Sequence, residues 1–216
     1  MKKVILTTIV FAILINNSKA QEVPKKDGGF RTQTLVGIKI GTNYSNVYDN
    51  NDASFKTSSK FGSAFGAYLS LPISKLIGIQ SELLFSQKGF KATGNMSGST
   101  YDLKRTSNFL DMPILLTVKP SELFTLMAGP QFSYLLTQND EFSSTIMTKQ
   151  QQNTFSNDYV SKHIISAVVG FNVNVKTTML GLRAAWDLQN NNGEAATTVP
   201  RYKNMWYQAT IGFRIL

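Results

Sequence analysis

Residues 207–216 alternate strictly. Tyr207, Ala209, Ile211, Phe213 and Ile215 fall on one side, and Gln208, Thr210, Gly212 and Arg214 on the other. A period of two marks an extended strand with two different faces. After residue 30 every strong apolar stretch is of this short, alternating kind. The pattern predicts strands over roughly 35–44, 62–71, 76–88, 106–118, 123–136, 163–175, 179–188 and 205–216. Eight such strands with turn signals between them predict a closed antiparallel barrel.

The expected connections alternate in length. Those at Pro72–Lys75, Lys119–Glu122 and Lys176–Thr178 are short. Those over 45–61, 89–105, 137–162 and 189–204 are long and rich in Asn, Ser, Thr, Asp and Lys. All long loops therefore gather at one end, as in outer-membrane barrels with short periplasmic turns and long exterior loops.

Which face points outward separates a membrane barrel from a soluble one, because a lipocalin-like barrel holds its apolar face inward around a ligand. The polar face carries Gly37, Gly41, Ala64, Gly66, Ser70, Gly129, Ser133, Ser166, Gly170, Gly181, Ala185 and Gly212. These suit a crowded lumen better than a water-facing surface, which would carry more Lys and Glu. The apolar face, with Ile38, Ile40, Phe65, Leu83, Leu126, Phe132, Leu182 and Trp186 among others, has no charge in mid-strand. Tyr44, Phe124, Tyr134, Trp186, Trp206 and Tyr207 gather near strand ends, as an interfacial aromatic girdle would. The expectation is an all-β, eight-stranded, up-and-down transmembrane barrel.

The chain's beginning agrees. Lys2 and Lys3 precede an apolar run from Val4 to Ile15, and Ser18 and Ala20 supply small residues before Gln21. That run is too short to span a bilayer as a helix and reads as a cleavable export signal over 1–20. A polar lead-in over 21–34 and a barrel over 35–216 complete the expected organisation, with localisation in the outer membrane. The net charge is +9, of which Lys2, Lys3 and Lys19 leave with the signal. An exported basic protein rarely meets nucleic acid. Outer-membrane lipids, lipopolysaccharide among them, are the expected acidic partners.

Candidate chemistry is sparse. Lys39, Arg183 and Arg214 balance Glu82, Asp111 and Asp187 on the lumen face, and buried charges need partners. This predicts an ion-pair network plugging the barrel, against a reading as a polar path for solutes. Lys60, Lys88, Lys104, Arg105, Lys162 and Lys203 fall where strands meet long loops, and predict a basic belt at the level of lipid headgroups. His163 is the single histidine and no G-x-S-x-G frames a nucleophile, so catalysis is not expected. The acids of Asp49–Asp52 read as a solvated loop tip rather than a calcium site. No phosphate loop, dinucleotide fingerprint or metal spacing appears, and no metal or cofactor is expected. Pro113 and Pro130 remove ladder donors and predict bulges or weakly paired positions.

Four segments carry a resemblance. Gly37-Ile38-Lys39-Ile40-Gly41-Thr42-Asn43-Tyr44-Ser45 resembles the opening strand of the PorT-like outer-membrane β-barrels of Bacteroidetes-type bacteria. Gln80 to Gly89 resembles their E-L-x-[YF]-x-Q-x-G strand. Phe109 to Leu116 resembles L-E-I-P-L-L-L, with Asp111 for Glu, and Gly129-Pro130 with Tyr134-Leu135-Leu136 resembles G-P-x-x-x-Y-L-L. The resemblance implies an eight-stranded outer-membrane barrel inserted by the barrel-assembly machinery, and little about activity. The expected function is a non-enzymatic structural or envelope-interaction role. The alternatives are a small porin-like solute channel and a soluble lipocalin-like binder; the secretion or envelope proteins it would meet are not named by any residue.

Overall fold

Alternation of chemistry along each segment is matched by alternation of exposure. The computed structural model describes residues 29, 31–48, 56–96, 99–143, 161–191 and 202–215. The expected signal over 1–20, most of the lead-in over 21–34 and the Asp49–Asp52 stretch lie outside the described residues. Eight strands follow one another: β1 (Leu35–Tyr48), β2 (Lys56–Pro72), β3 (Ile77–Met96), β4 (Ser99–Val118), β5 (Phe124–Ser143), β6 (His163–Val175), β7 (Thr178–Asp187) and β8 (Lys203–Arg214). Each pairs antiparallel with its sequence neighbour, and β1 pairs with β8, so the sheet closes. Closure leaves no sheet edge within the ring, which is what a strand structure needs to cross lipid.

The faces are inverted relative to a soluble barrel. Ile38, Ile40, Phe65, Leu83, Ile114, Leu116, Leu182 and Phe213 point outward and are about half exposed, whereas Lys39, Asn43, Ser86, Asp111, Ser166 and Gln208 point inward and are buried. The lipocalin-like reading fails on this point. The outward apolar residues run from Ile77 to Phe85 on β3 and from Tyr207 to Ile215 on β8. That is the length of a tilted membrane-spanning strand, about 9–11 residues. Tyr44, Phe124, Tyr134, Trp186 and Tyr207 rim this belt as expected. Trp206 does not; it is 2% exposed and points into the lumen, because it shares the parity of Gln208 and Thr210.

Strand lengths divide the barrel into two halves. β3, β4 and β5 have 20 residues each and β2 has 17. β6, β7, β8 and β1 have 10 to 14. The excess lies entirely at the end of the long connections. The loop expected over 89–105 is therefore mostly strand: β3 continues to Met96 and β4 starts at Ser99. Much of the expected 45–61 loop, and the start of the 137–162 loop, likewise belong to β1, β2 and β5. Together β2–β5 raise a wall above the apolar belt.

On this wall the chemistry of the two faces exchanges. In the belt the outward face is apolar, while the inward face mixes polar groups with Leu84, Leu115, Met127 and Val168; above it the outward face turns polar and Phe90, Ala92 and Leu103 face in and are buried. Outward positions become Gln87, Lys91, Thr93, Lys104, Thr106, Asn108 and Thr137. Gly89 sits at the exchange, where a Cβ would lie 2.1 Å from the Arg105 carbonyl oxygen, and Ser45 Oγ accepts from its N–H at 2.9 Å. The register shifts also fall at this height, between Ser59 and Ala64 and between Asn108 and Phe109. Bulges do not occur at the prolines. The β3–β4 ladder skips Pro113 and the β4–β5 ladder skips Pro130, both without a change of register, while Pro113 stays paired with Gln131 and Pro130 with Ala167, so each is weakly paired on one side only.

The opposite end is trimmed tightly. Ile73 and Ser74 N–H groups donate to the Ile77 carbonyl at 2.9 Å, and Ser74 Oγ accepts from Ile77 N–H at 3.0 Å. The β6–β7 turn passes through Lys176 with φ of 50°.

Candidate functional site

The polar parity of eight strands converges in the lumen, and eight strands leave an interior just wide enough for side chains to fill. It is filled in layers. Lys39 Nζ donates to Glu82 Oε1 at 2.7 Å, Arg183 Nη2 donates to the same oxygen at 2.6 Å, and Gln80 Nε2 does so at 2.5 Å. All are buried. The three expected members Lys39, Glu82 and Arg183 thus meet across β1, β3 and β7. Two cations on one carboxylate leave this layer with a net positive charge.

Above it, Gln208 Nε2 donates to Asn43 Oδ1 at 2.9 Å, and Asn43 Nδ2 donates to Ser86 Oγ at 2.9 Å. The next layer holds Lys88, whose Nζ is 2.9 Å from Asp111 Oδ2 and 3.0 Å from Oδ1. The same ammonium lies 3.8 Å from the Trp206 ring centroid and 4.7 Å from that of Phe109. Ring faces stabilise a cation that has lost its water. Lys88 is thus the partner of Asp111 and not part of a lipid belt. Its parity with Glu82 and Ser86 was the available signal.

Asp187 takes its hydrogen bonds from neutral donors, with the Lys88 ammonium within electrostatic reach. Ser166 Oγ donates at 2.7 Å, Asn204 Nδ2 at 2.8 Å and Asn204 N–H at 3.2 Å. Arg214 also departs from the expected network. It sits at the turn end and donates to Asn174 Oδ1 at 2.8 Å and the Lys176 carbonyl at 2.5 Å.

The mouth is closed by a layer that sequence reading missed. Arg105, expected on the outside, points inward and forks onto Asp140 at 2.8 and 2.6 Å, with a third bond of 2.7 Å to the Tyr202 hydroxyl. Planar two-pronged pairing of this kind is the strong form of an arginine–carboxylate contact. Tyr202 packs edge-on against Phe90 at 5.2 Å and joins Val47, Ala92 and Leu103 in an apolar cap. Burial pushes the Tyr202 hydroxyl above the usual phenol range, so it stays neutral.

Of the remaining belt residues, Lys104 pairs with Glu141 at 2.9 Å in the open, Lys60 donates to the Thr106 hydroxyl, Lys162 is exposed and Lys203 lies 6.0 Å from the Tyr48 ring centroid. The six expected residues thus divide into two inside and four outside. His163 faces out at the rim against the Tyr134 ring at 5.1 Å. Among the described residues, no three His, Cys, Asp or Glu side chains lie together as a metal site.

Among curated proteins, none matches this sequence. Solved outer-membrane barrels are similar in form. Ail of Yersinia pestis, solved with the heparin analogue sucrose octasulfate, is 13% identical over 85% of this chain and 100% of its own, with a TM-score of 0.45. OprG of Pseudomonas aeruginosa is 11% identical over 86% and 98%, with a TM-score of 0.48. Neisserial surface protein A is 9% identical over 83% and 97%, with a TM-score of 0.41. The family model described as an outer membrane protein beta-barrel domain matches residues 20–192. With a closed eight-stranded ring, an outward apolar belt and a match over most of its length, this chain belongs to the outer membrane protein beta-barrel domain family.

Proposed function

We propose that this outer-membrane protein is a non-enzymatic, non-conducting scaffold that carries a raised wall on the cell exterior. The observation that supports it most is the lumen itself. Glu82, held by Lys39, Arg183 and Gln80, blocks one level; Lys88, Asp111 and Trp206 block the next; and the Arg105–Asp140–Tyr202 layer closes the mouth. A solute would have to break buried ion pairs at successive heights. Such pairs are held tightly: removing one member and leaving its partner buried costs about 3–5 kcal/mol.

The exterior position of the wall follows from the usual arrangement of such barrels, whose short turns face the periplasm. Barrel-assembly machinery inserting the chain by its last strand, and outer-membrane lipids around the belt, are the partners this reading requires. Within the family, the segments at Gly37–Ser45, Gln80–Gly89, Phe109–Leu116 and Gly129–Leu136 support a place among the PorT-like barrels.

A planar-bilayer recording tests the scaffold reading. The purified protein is expected to give no stable single-channel current, and Glu82→Ala with Arg183→Ala is expected to raise leakage. Stable, ion-selective currents of porin size from the unmodified protein would replace the scaffold with the channel alternative.

A further inference from the structure

One cluster of charge lies outside the lumen and has no part in plugging it. The strand register lines up Ser58, Lys91, Lys104 and Glu141 as direct neighbours across β2, β3, β4 and β5. Lys91 and Glu141 are exposed, and Lys104 is half-buried on the same outer surface. Lys60 joins them where the β2 register shifts between Ser59 and Ala64. Its amine reaches the hydroxyl of Thr106, two residues from Lys104 on the same side of β4. Lys60 therefore stands within electrostatic reach of Lys91, Lys104 and Glu141 together. One row farther from the belt, Lys56 and Asp102 stand on either side of Thr93, whose hydroxyl donates to Asp102. Within the cluster three cations face Glu141, and its ion pair, Lys104–Glu141, is solvated on both sides. Exposed pairs of this kind are weak and exchange readily for a better anion.

The height of the cluster is fixed by what lies beneath it. Phe61, the residue after Lys60, is 68% exposed and packs on Tyr44 at 4.8 Å. Below it Phe65 and Phe85 meet at 5.0 Å, and Leu83 continues the apolar surface. Aromatic residues at the end of an apolar belt mark the headgroup level of a bilayer. A molecule that fits must present anionic oxygens to the lysines and hydrocarbon to the phenylalanines. The lysines stand on the open outer face of the wall, so a free anion would be held by solvated amines alone, whereas a lipid places its phosphate there while its chain lies along the aromatic track.

We propose that Lys60, Lys91 and Lys104 form a binding site for the phosphate of an outer-leaflet lipid headgroup. The site rests on the orientation given above, with the raised wall on the exterior. It also narrows the basic belt to one side of the barrel, the side of β2, β3 and β4.

The probe is lipid A carrying two phosphates, doped into phosphatidylcholine vesicles that hold the refolded barrel. Bound lipid is read by native mass spectrometry after extraction into mild detergent. The unmodified protein is expected to retain the phosphorylated lipid and to reject the dephosphorylated form. Lys60→Gln with Lys91→Gln and Lys104→Gln is expected to lose retention on the order of a hundredfold, about fivefold per lysine. Lys75→Gln in the opposite turn, with Lys162→Gln and Lys203→Gln, is expected to retain lipid as the parent does. Lys91→Gln alone, a change at an exposed strand position, is expected to show the single-lysine loss without any question of folding. Equal retention by the triple variant, or equal loss by the control, would overturn the site. Displacement of the lipid by an equal concentration of soluble tripolyphosphate would overturn its assignment to lipid and leave a free-anion site. Current recordings on the same preparations are expected to stay silent in every variant, so a failed lipid site and a failed scaffold reading give different results.

Discussion

Glu82 gathers two cations and an amide onto one oxygen in a place almost closed to water. Its removal would leave Lys39 and Arg183 facing one another with nothing between them. Glu82→Ala is therefore expected to lower the folding free energy in vesicles by about 3–5 kcal/mol, whereas Glu141→Ala, which breaks only the exposed pair with Lys104, is expected to cost about 0–1 kcal/mol. Urea unfolding followed by gel migration compares the two, and equal losses would show that the lumen is wet enough to screen the trio. At this scale parity was a better guide than residue type. Lys88, Arg105 and Trp206 share the inward parity of Glu82, Asp111 and Gln208, yet their chemistry suggests a rim. What parity cannot give is the pairing itself. Asp187 takes neutral donors from Ser166 and Asn204, and Arg214 caps a turn, because partners across a lumen depend on the shear of the ring rather than on spacing along one strand.

The wall passes from lipid into water, and on β3 and β4 the apolar side changes over as it does. Within the belt the alternation is regular enough to read from composition alone, which is why the eight strands and their facing were legible. Above Gly89 the apolar residues Phe90 and Ala92 fall on the opposite parity from Leu83 and Phe85. A scan for one continuous stripe stops there and reports a loop. The boundary can be tested with a charge. Ile40→Arg, in the belt between Phe65 and Ile211, is expected to cost about 2–4 kcal/mol, and Asn46→Arg, beyond Tyr44, about 0–1 kcal/mol. Folding free energies in bilayers of fixed thickness distinguish these values; a large cost at Asn46 would move the boundary outward by one row.

The chain contains no cysteine, so single cysteines report the topology of the whole molecule without a background. Asp102→Cys on the wall is expected to react with a membrane-impermeant maleimide on intact cells, and Ser74→Cys in the β2–β3 turn is expected to react only after the outer membrane is permeabilised. The reverse pattern would turn the molecule over in the membrane.

A plain eight-stranded ring looks much the same from every side, and a partner sliding in the plane of the membrane has no reason to prefer one compass bearing over another. Here four strands stand tall and four stop at the rim. That difference gives the molecule a front and a back. Anything that grips the wall fixes the rotation of the barrel about the membrane normal as well as its position.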